Sequence, residues 1–277
     1  MQIYINGQWI PEAEAVIPFQ DGGFLYGDSL FETIRVSAGK PFRLDKHLDR
    51  LWAGLKIIRL ETPWLQTEMV ELCETFIAKN AIQDGLLRLI ITRGTILGSP
   101  WNFTGTPNRY LTGRAISPTP DPPVLVEFVN ESDYPIARFY PAIKSGNYLG
   151  NLLAKRDVEQ RGVFEPIFVN RDGFITEGAI RNVFFIRNDT LFTPALTLGV
   201  LPGVIRDTII ELARDAGIPV EEAHIHKDEI DTFEEGFISS TGVGILPAKW
   251  RGMASGSAYT ITHQLRGKLN QRLKEGQ

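Results

Sequence analysis

Residues 117–123 read Ser-Pro-Thr-Pro-Asp-Pro-Pro, four prolines in seven positions. Proline lacks the amide hydrogen and locks φ, so neither a helix interior nor a central strand tolerates such a run. The segment therefore predicts a semi-rigid linker. It divides the 277 residues into a small N-terminal α/β domain, 1–116, and a larger C-terminal domain, 124–277, each long enough to bury its own core. The expected fold class is α+β in two domains.

Patterning on either side of the break fills in the elements. Asn6-Gly7 between two short apolar runs signals a hairpin with a type I′ turn. A glycine-rich stretch from Asp21 to Asp28 leads into alternating residues over 30–36, which predict a strand. Leu48, Leu51, Leu55 and Ile58 recur at three- and four-residue steps, an amphipathic helix starting near Leu44. Met69, Leu72 and Phe76 mark a second helix after Pro63, and residues 86–92 a buried strand. Beyond the linker, strands over 124–129, 166–169, 182–186 and 237–239 alternate with helices over 148–160, 204–216 and 259–274, the middle helix stopped by Gly217.

Composition narrows the function classes. With 43% apolar and 22% charged residues the chain reads as an ordinary globular protein. A net charge of −4 with no basic run gives no pull toward nucleic acid. No apolar stretch approaches the ~20 residues of a membrane span, and no basic region followed by an apolar run suggests a signal peptide. The single cysteine, Cys73, excludes an internal disulfide framework and suits a reducing cytoplasm. It falls on the apolar face of its helix, which predicts a buried, inert thiol. These features lead to the expectation of a soluble cytoplasmic protein, and of an enzyme.

Three groups carry the chemistry. Lys144 ends an extended segment and is followed by the small residues Ser145 and Gly146. A lysine made neutral by partial burial near other cations can form a Schiff base with an aldehyde. Glu177 follows a short apolar run and precedes Gly178, the end of a strand, where a carboxylate can pair with a pyridinium nitrogen. Gly203 opens a helix at Val204, Ile205 and Arg206, whose first amides form an anion site. A Schiff-base lysine, a pyridinium acid and a phosphate-holding helix start are the three handles of pyridoxal phosphate. His47 and Arg50, three residues apart, share a helix face.

The run from Glu177 through Asn182, Thr193 and Gly203 to Arg206, with Lys144 upstream, resembles the class IV aminotransferases. That group, fold type IV, includes branched-chain aminotransferases, D-amino-acid aminotransferases and 4-amino-4-deoxychorismate lyases. The resemblance implies pyridoxal 5'-phosphate in the cleft between two domains, bound to Lys144, with a homodimer as the assembly. It assigns Glu177 to the ring nitrogen, the Val204 and Ile205 amides, Thr241 and Arg50 to the phosphate, and Tyr148 to the ring hydroxyl. Where branched-chain enzymes often have threonine, this chain has Ile205, so one hydroxyl contact is missing. Tyr148 can equally pack the start of its helix. Tyr26 and Phe31 resemble the apolar walls of the substrate pocket, and Arg88 the arginine that meets a substrate carboxylate. An ion pair at the core edge is the alternative for Arg88.

The implied reaction is amino transfer between an amino acid and a 2-oxo acid. The alternative is a deoxychorismate lyase of folate synthesis, which expels pyruvate with the same lysine. A cofactor-binding relic lies outside catalysis, and the intact set of Lys144, Glu177 and Arg50 argues against it. The segment after Arg93 lacks both the Arg-x-His pair of D-amino-acid enzymes and the Gly-Gly-Arg-Gly-Tyr run of some lyases. His224 and His226 alternate on a presumptive strand without a third metal ligand, so no metal site is expected.

Overall fold

The computed structural model describes residues 1–101, 105–119, 121–253 and 258–275; Pro120 of the linker lies outside them. The chain forms two compact units. The first comprises Met1–Ser117, Ile143–Asn147 and the residues from Leu273 onward; the second comprises Pro118–Ala142 and Tyr148–Arg272. Residues 143–147, placed by the linker argument in the C-terminal domain, thus cluster with the N-terminal unit. The reason is strand pairing, described below.

The first unit is built on six antiparallel strands. They are β1 (Gln2–Ile5), β2 (Gln8–Pro11), β3 (Ser29–Ser37), β4 (Lys40–Pro41), β5 (Gly85–Thr92) and β6 (Asn108–Arg114), ordered β2-β1-β6-β5-β3-β4. Asn6 and Gly7 both take positive φ, 48° and 96°, as a type I′ turn requires. The glycine-rich stretch before β3 winds into a short helix, α1 (Gly22–Tyr26). Asp21 caps it by accepting the Gly23 amide at 2.7 Å, and Gly27 ends it in the left-handed conformation. Two longer helices, α2 (Leu44–Ile57) and α3 (Gln66–Lys79), press Leu48, Leu51, Leu55, Met69, Cys73 and Phe76 onto Ile34, Leu87, Leu89 and Ile91. Each fully buried leucine of that face contributes ~1.5–3 kcal/mol relative to exposure. Burial pushes the Cys73 thiol up to about 12, so it stays protonated.

Eight strands form the second unit. They are β7 (Val124–Asn130), β8 (Glu165–Val169), β9 (Ile175–Gly178), β10 (Asn182–Arg187), β11 (Thr190–Pro194), β12 (Val220–Ala223), β13 (Glu235–Ser240) and β14 (Gly244–Trp250). Their order is β12-β11-β10-β13-β14-β7-β8-β9. The helices of this half are α4 (Leu149–Glu159), α5 (Val204–Asp215) and α6 (Thr260–Glu275). One face of the sheet buries Val126, Ile167, Val183, Phe185, Ile238 and Leu246 together. At α4, Ala154 packs with Phe168 and Ala179. Strand β12 stops at Ala223, so His224 and His226 lie beyond it rather than on a strand. Both rings rest on Phe174, and His226 caps the following turn by accepting the Asp228 amide.

Candidate active site

The hairpin β3–β4 pairs only at Val36 and Ser37, which leaves the first half of β3 with a vacant edge. Residues 143–147 occupy that edge through the Leu30–Ser145 bridge. The Phe31 amide donates to the Lys144 carbonyl at 3.0 Å, and the Gly146 amide to the Ser29 carbonyl at 2.8 Å. Lys144 is thereby fixed at its backbone while its side chain is half-buried, with Nζ 4.5 Å from the Phe31 ring centre. A Cβ on Gly146 would come within 2.2 Å of Ser29 Oγ. Gly146→Val is therefore expected to lift the lysine segment off β3, and a lost visible band on reconstitution with pyridoxal phosphate would report it.

Phe31 and Arg88, both expected at the substrate pocket, touch each other. Arg88 is exposed on β5, and its guanidinium lies 4.0 Å from the Phe31 ring centre. The Lys144 amine and the Arg88 guanidinium thus both approach one aromatic ring. Tyr26 ends α1 with 58% of its surface exposed. The segment that carries it is held from below by two residues that sequence patterning leaves unassigned. Asp21 is buried and also accepts from Thr92, Asn108 and Tyr110 at 2.7–2.8 Å. Asp28 pairs with Arg93 at 2.7 Å, and Arg93 goes on to the carbonyls of Ile58 and Arg59. Arg93 therefore has a structural role here.

Under β3 lies a buried charge relay. Glu32 is fully buried and accepts from His47 Nδ1 at 2.7 Å and from Arg50 Nε and Nη2 at 2.8 and 2.6 Å. Burial works to raise the Glu32 carboxyl, but Arg50 and His47 outweigh it and bring it down to about 2. His47 moves down from its ordinary value because burial disfavours its charged form, although Glu32 opposes the change. The triad is therefore carboxylate, neutral imidazole and guanidinium, and Arg50 is gripped bidentately on one edge. Sequence patterning finds the shared helix face of His47 and Arg50 but not Glu32, which sits one residue from Phe31 on a strand buried along most of its length.

In the second unit Glu177 stands on β9 with its carboxylate held from two sides. Arg138 Nη1 donates to Oε1 and the Leu201 amide donates to Oε2 at 3.1 Å. Arg181, a partner that sequence proximity suggests for Glu177, instead pairs with the buried Glu165. Asn182 Nδ2 donates to the Leu201 carbonyl at 3.0 Å, tying β10 to the turn that starts α5. A Cβ on Gly203 would meet Asn182 Oδ1 at 2.1 Å, so any larger residue there must displace the Asn182 side chain. Asn182 also lies opposite Ser239 across the β10–β13 ladder, and Thr241 follows two residues later in the β13–β14 turn. The open amides of Val204 and Ile205 and the Thr241 hydroxyl are thus brought to one end of the sheet. Arg206 is buried and turned away to Glu222 at 2.7 Å. Tyr148 caps α4 with its side chain half-buried.

The predicted cofactor residues divide between the units, Lys144 and Arg50 in the first, Tyr148, Glu177, Val204, Ile205 and Thr241 in the second. Within each unit the donor chemistry fits a phosphorylated pyridine. In the first unit Arg50 presents a guanidinium held by Glu32; in the second, Ser239 Oγ is buried without a hydrogen-bond partner among the described residues, the helix start leaves amides open, and Glu177 presents a fixed carboxylate. Gly203→Ala should break the Asn182–Leu201 bond. Losing one such hydrogen bond is worth about 1 kcal/mol or somewhat more, so cofactor affinity should fall roughly tenfold, as a fluorescence titration would measure.

Comparison with known proteins places this geometry. The sequence model of the family described as amino-transferase class IV matches residues 29–249. A putative branched-chain-amino-acid aminotransferase of Methanocaldococcus jannaschii is 33% identical over 282 residues, covering 99% of this chain and 94% of the relative. The aminodeoxychorismate lyase of Bacillus subtilis is 33% identical over 263 residues, covering 88% and 85%. The crystal structure of the Escherichia coli branched-chain amino acid aminotransferase matches with a TM-score of 0.90 and 27% identity, over 99% of this chain and 95% of that one.

Proposed function

Because the chain belongs to the class IV aminotransferase family and shares the two-domain fold type IV, we propose that it is a transaminase whose Lys144 carries pyridoxal phosphate. The reaction moves an amino group between an amino acid and a 2-oxo acid. The observation that carries the lysine assignment is its clamp on β3, which fixes the backbone beneath one half-buried amine. When bound, the cofactor supplies an aldehyde that exchanges amines and a ring that accepts electrons from the broken Cα–H bond.

The chain's own residues do the rest. Lys144 Nζ would hold the cofactor and, as an amine beside the substrate Cα, would serve as the base that takes the Cα proton and the acid that gives it back. Glu177 accepts the ring N–H. The Val204 and Ile205 amides, the Thr241 hydroxyl and the Arg50 guanidinium would bind phosphate. Tyr148 donates to the ring hydroxyl. Arg88 meets the substrate carboxylate, and Tyr26 and Phe31 exclude water around its side chain. Arg88→Ala should raise KM for the amino acid roughly tenfold or more, the loss of a charge-assisted hydrogen bond, with cofactor binding unchanged. Steady-state kinetics beside a cofactor titration checks it.

The B. subtilis relative supports a second reading, elimination of pyruvate from aminodeoxychorismate. The deciding experiment is absorbance of the reconstituted protein during additions of separate L- and D-amino acids, with a pyruvate assay on aminodeoxychorismate in parallel. Conversion of the visible band to the pyridoxamine form identifies a transaminase and names its substrates. A band that no amino acid moves, with pyruvate released, identifies the lyase. Absence of the band overturns the Lys144 assignment.

A cytoplasmic homodimer completes the proposal. The exposed side chains of Phe19, Phe24 and Tyr26 are apolar surface that a second copy would cover. The lone cysteine is buried, and no helix among the described residues is long and apolar enough to cross a membrane. Light scattering on the eluting protein reads the oligomeric state.

A further inference from the structure

Arg138 lies between two carboxylates. Its Nε and Nη2 hold both oxygens of Glu131 at 2.9 and 3.1 Å, and its Nη1 holds Glu177. Nη2 also donates to Thr176 Oγ1 at 3.1 Å, and Nη1 lies 3.5 Å from the Gly199 carbonyl. Every N–H of the guanidinium thus points at an oxygen of its own unit. All three charged side chains are about six-sevenths buried. Burial works against the charged guanidinium, yet Glu177 and Glu131 outweigh it and raise Arg138 above its ordinary value. Arg138 is therefore a permanent cation.

A permanent cation beside Glu177 creates a problem for the role assigned to that carboxylate. A lone Arg–Glu pair is neutral overall, and a neutral pair attracts a pyridinium far less than a bare carboxylate does. Glu131 alters the balance. Two carboxylates and one guanidinium leave one net negative charge, matched to one positive ring. The pair of contacts on Glu177 does a second thing. Arg138 on one oxygen and the Leu201 amide on the other immobilise the carboxylate before any ligand arrives, so ordering it adds little to the cost of binding. Leu201 begins the turn that opens α5, which links the ring-nitrogen acid to the phosphate amides through a single hydrogen bond.

We propose that Glu131 is a positioning residue of this active site, neutralising Arg138 so that Glu177 keeps its charge for the ring nitrogen of pyridoxal phosphate. The inference rests on the cofactor reading above. No other charged side chain is paired with Arg138 or Glu177 among the described residues.

The test uses pyridoxal phosphate labelled with 15N in the ring, bound to the whole protein, with the ring-nitrogen chemical shift and the cofactor affinity as readouts. The wild-type signal is expected at the protonated-pyridine position. Glu131→Gln, nearly isosteric, removes one charge; its signal should move toward the neutral-pyridine position and affinity should fall roughly tenfold, about one pKa unit. The double variant Glu131→Gln/Arg138→Met restores one net negative charge and should return the signal toward wild type despite a larger loss of contacts. Glu131→Asp keeps the charge and should keep the proton. A merely structural Glu131 would leave the Glu131→Gln signal at the wild-type position, or leave the double variant no better than the single one, and either result overturns the inference. Failure of the wild-type chain to bind the labelled cofactor is a different result, because it overturns the cofactor reading itself.

Discussion

Lys144→Ala should abolish the visible absorbance of the reconstituted protein and lower transamination by roughly 10⁴-fold, the upper end of what one positioned acid–base group contributes. The same substitution should barely change stability. Lys144 is bound to β3 through its carbonyl, and that bond survives loss of the side chain. The Phe31 ring keeps Arg88 on one side. A variant that folds, still binds pyridoxal phosphate weakly and has lost the band would locate the covalent link at Nζ. Borohydride reduction of the wild-type protein followed by peptide mapping provides the positive control, with the label expected on residue 144. Retained activity in Lys144→Ala would remove the catalytic assignment and revive the reading of a cofactor-binding relic.

The second large effect concerns folding. Glu32→Ala should destabilise the first unit by about 3–5 kcal/mol, the usual cost of removing one partner from a buried charge cluster. His47 and Arg50 would be left facing an apolar sheet without their acceptor. Urea denaturation of wild type and variant measures the difference. The pH dependence distinguishes the mechanism from simple cavity formation. The Glu32 carboxyl is brought down to about 2 in the fold from its ordinary 4.5, so its contribution is fully present above about pH 4.5. It is lost as pH falls from there toward 2, in all roughly 3 kcal/mol at about 1.4 per unit. His47 is held neutral, shifted down from its ordinary 6.5 by burial, so falling pH below 6.5 favours the unfolded chain, which can bind that proton. The wild type should therefore lose stability throughout acidification from 6.5. Glu32→Ala should lack the portion between 4.5 and 2.

Much of the molecule could be read from local pattern. The hairpin at Asn6-Gly7, the leucine face of α2 and the glycine stop after α5 are short-range statements about φ and periodicity, and each stands in the structure. The helix start at Val204 and the strand end at Glu177 were legible for the same reason, since caps and breakers act over a few residues. The short helix α1 was not. Its two glycines and flanking turn residues argue against a helix, and Asp21 stabilises it with bonds to β5 and β6 that lie some seventy to ninety positions away in the chain.

The partners of the functional groups were beyond local pattern for a related reason. Glu177 has arginines nearby in sequence at 171 and 181, yet its cation is Arg138, carried to it by the segment that follows β7. Arg50 neighbours Asp49, yet its carboxylate is Glu32 on a strand. Charge pairing depends on distance in space, and a sheet brings residues of any separation to within hydrogen-bonding reach.

What the sequence alone determined, then, is the family and most of the element types, because those depend on residue chemistry and spacing. Only the tertiary structure decided that Lys144 crosses back to the first unit as an added edge on β3, that Glu32 holds Arg50, and that Glu131 and Arg138 stand behind Glu177. Those three results come from strand pairing and buried electrostatics, which reward contacts between distant residues and leave no periodic trace in the chain.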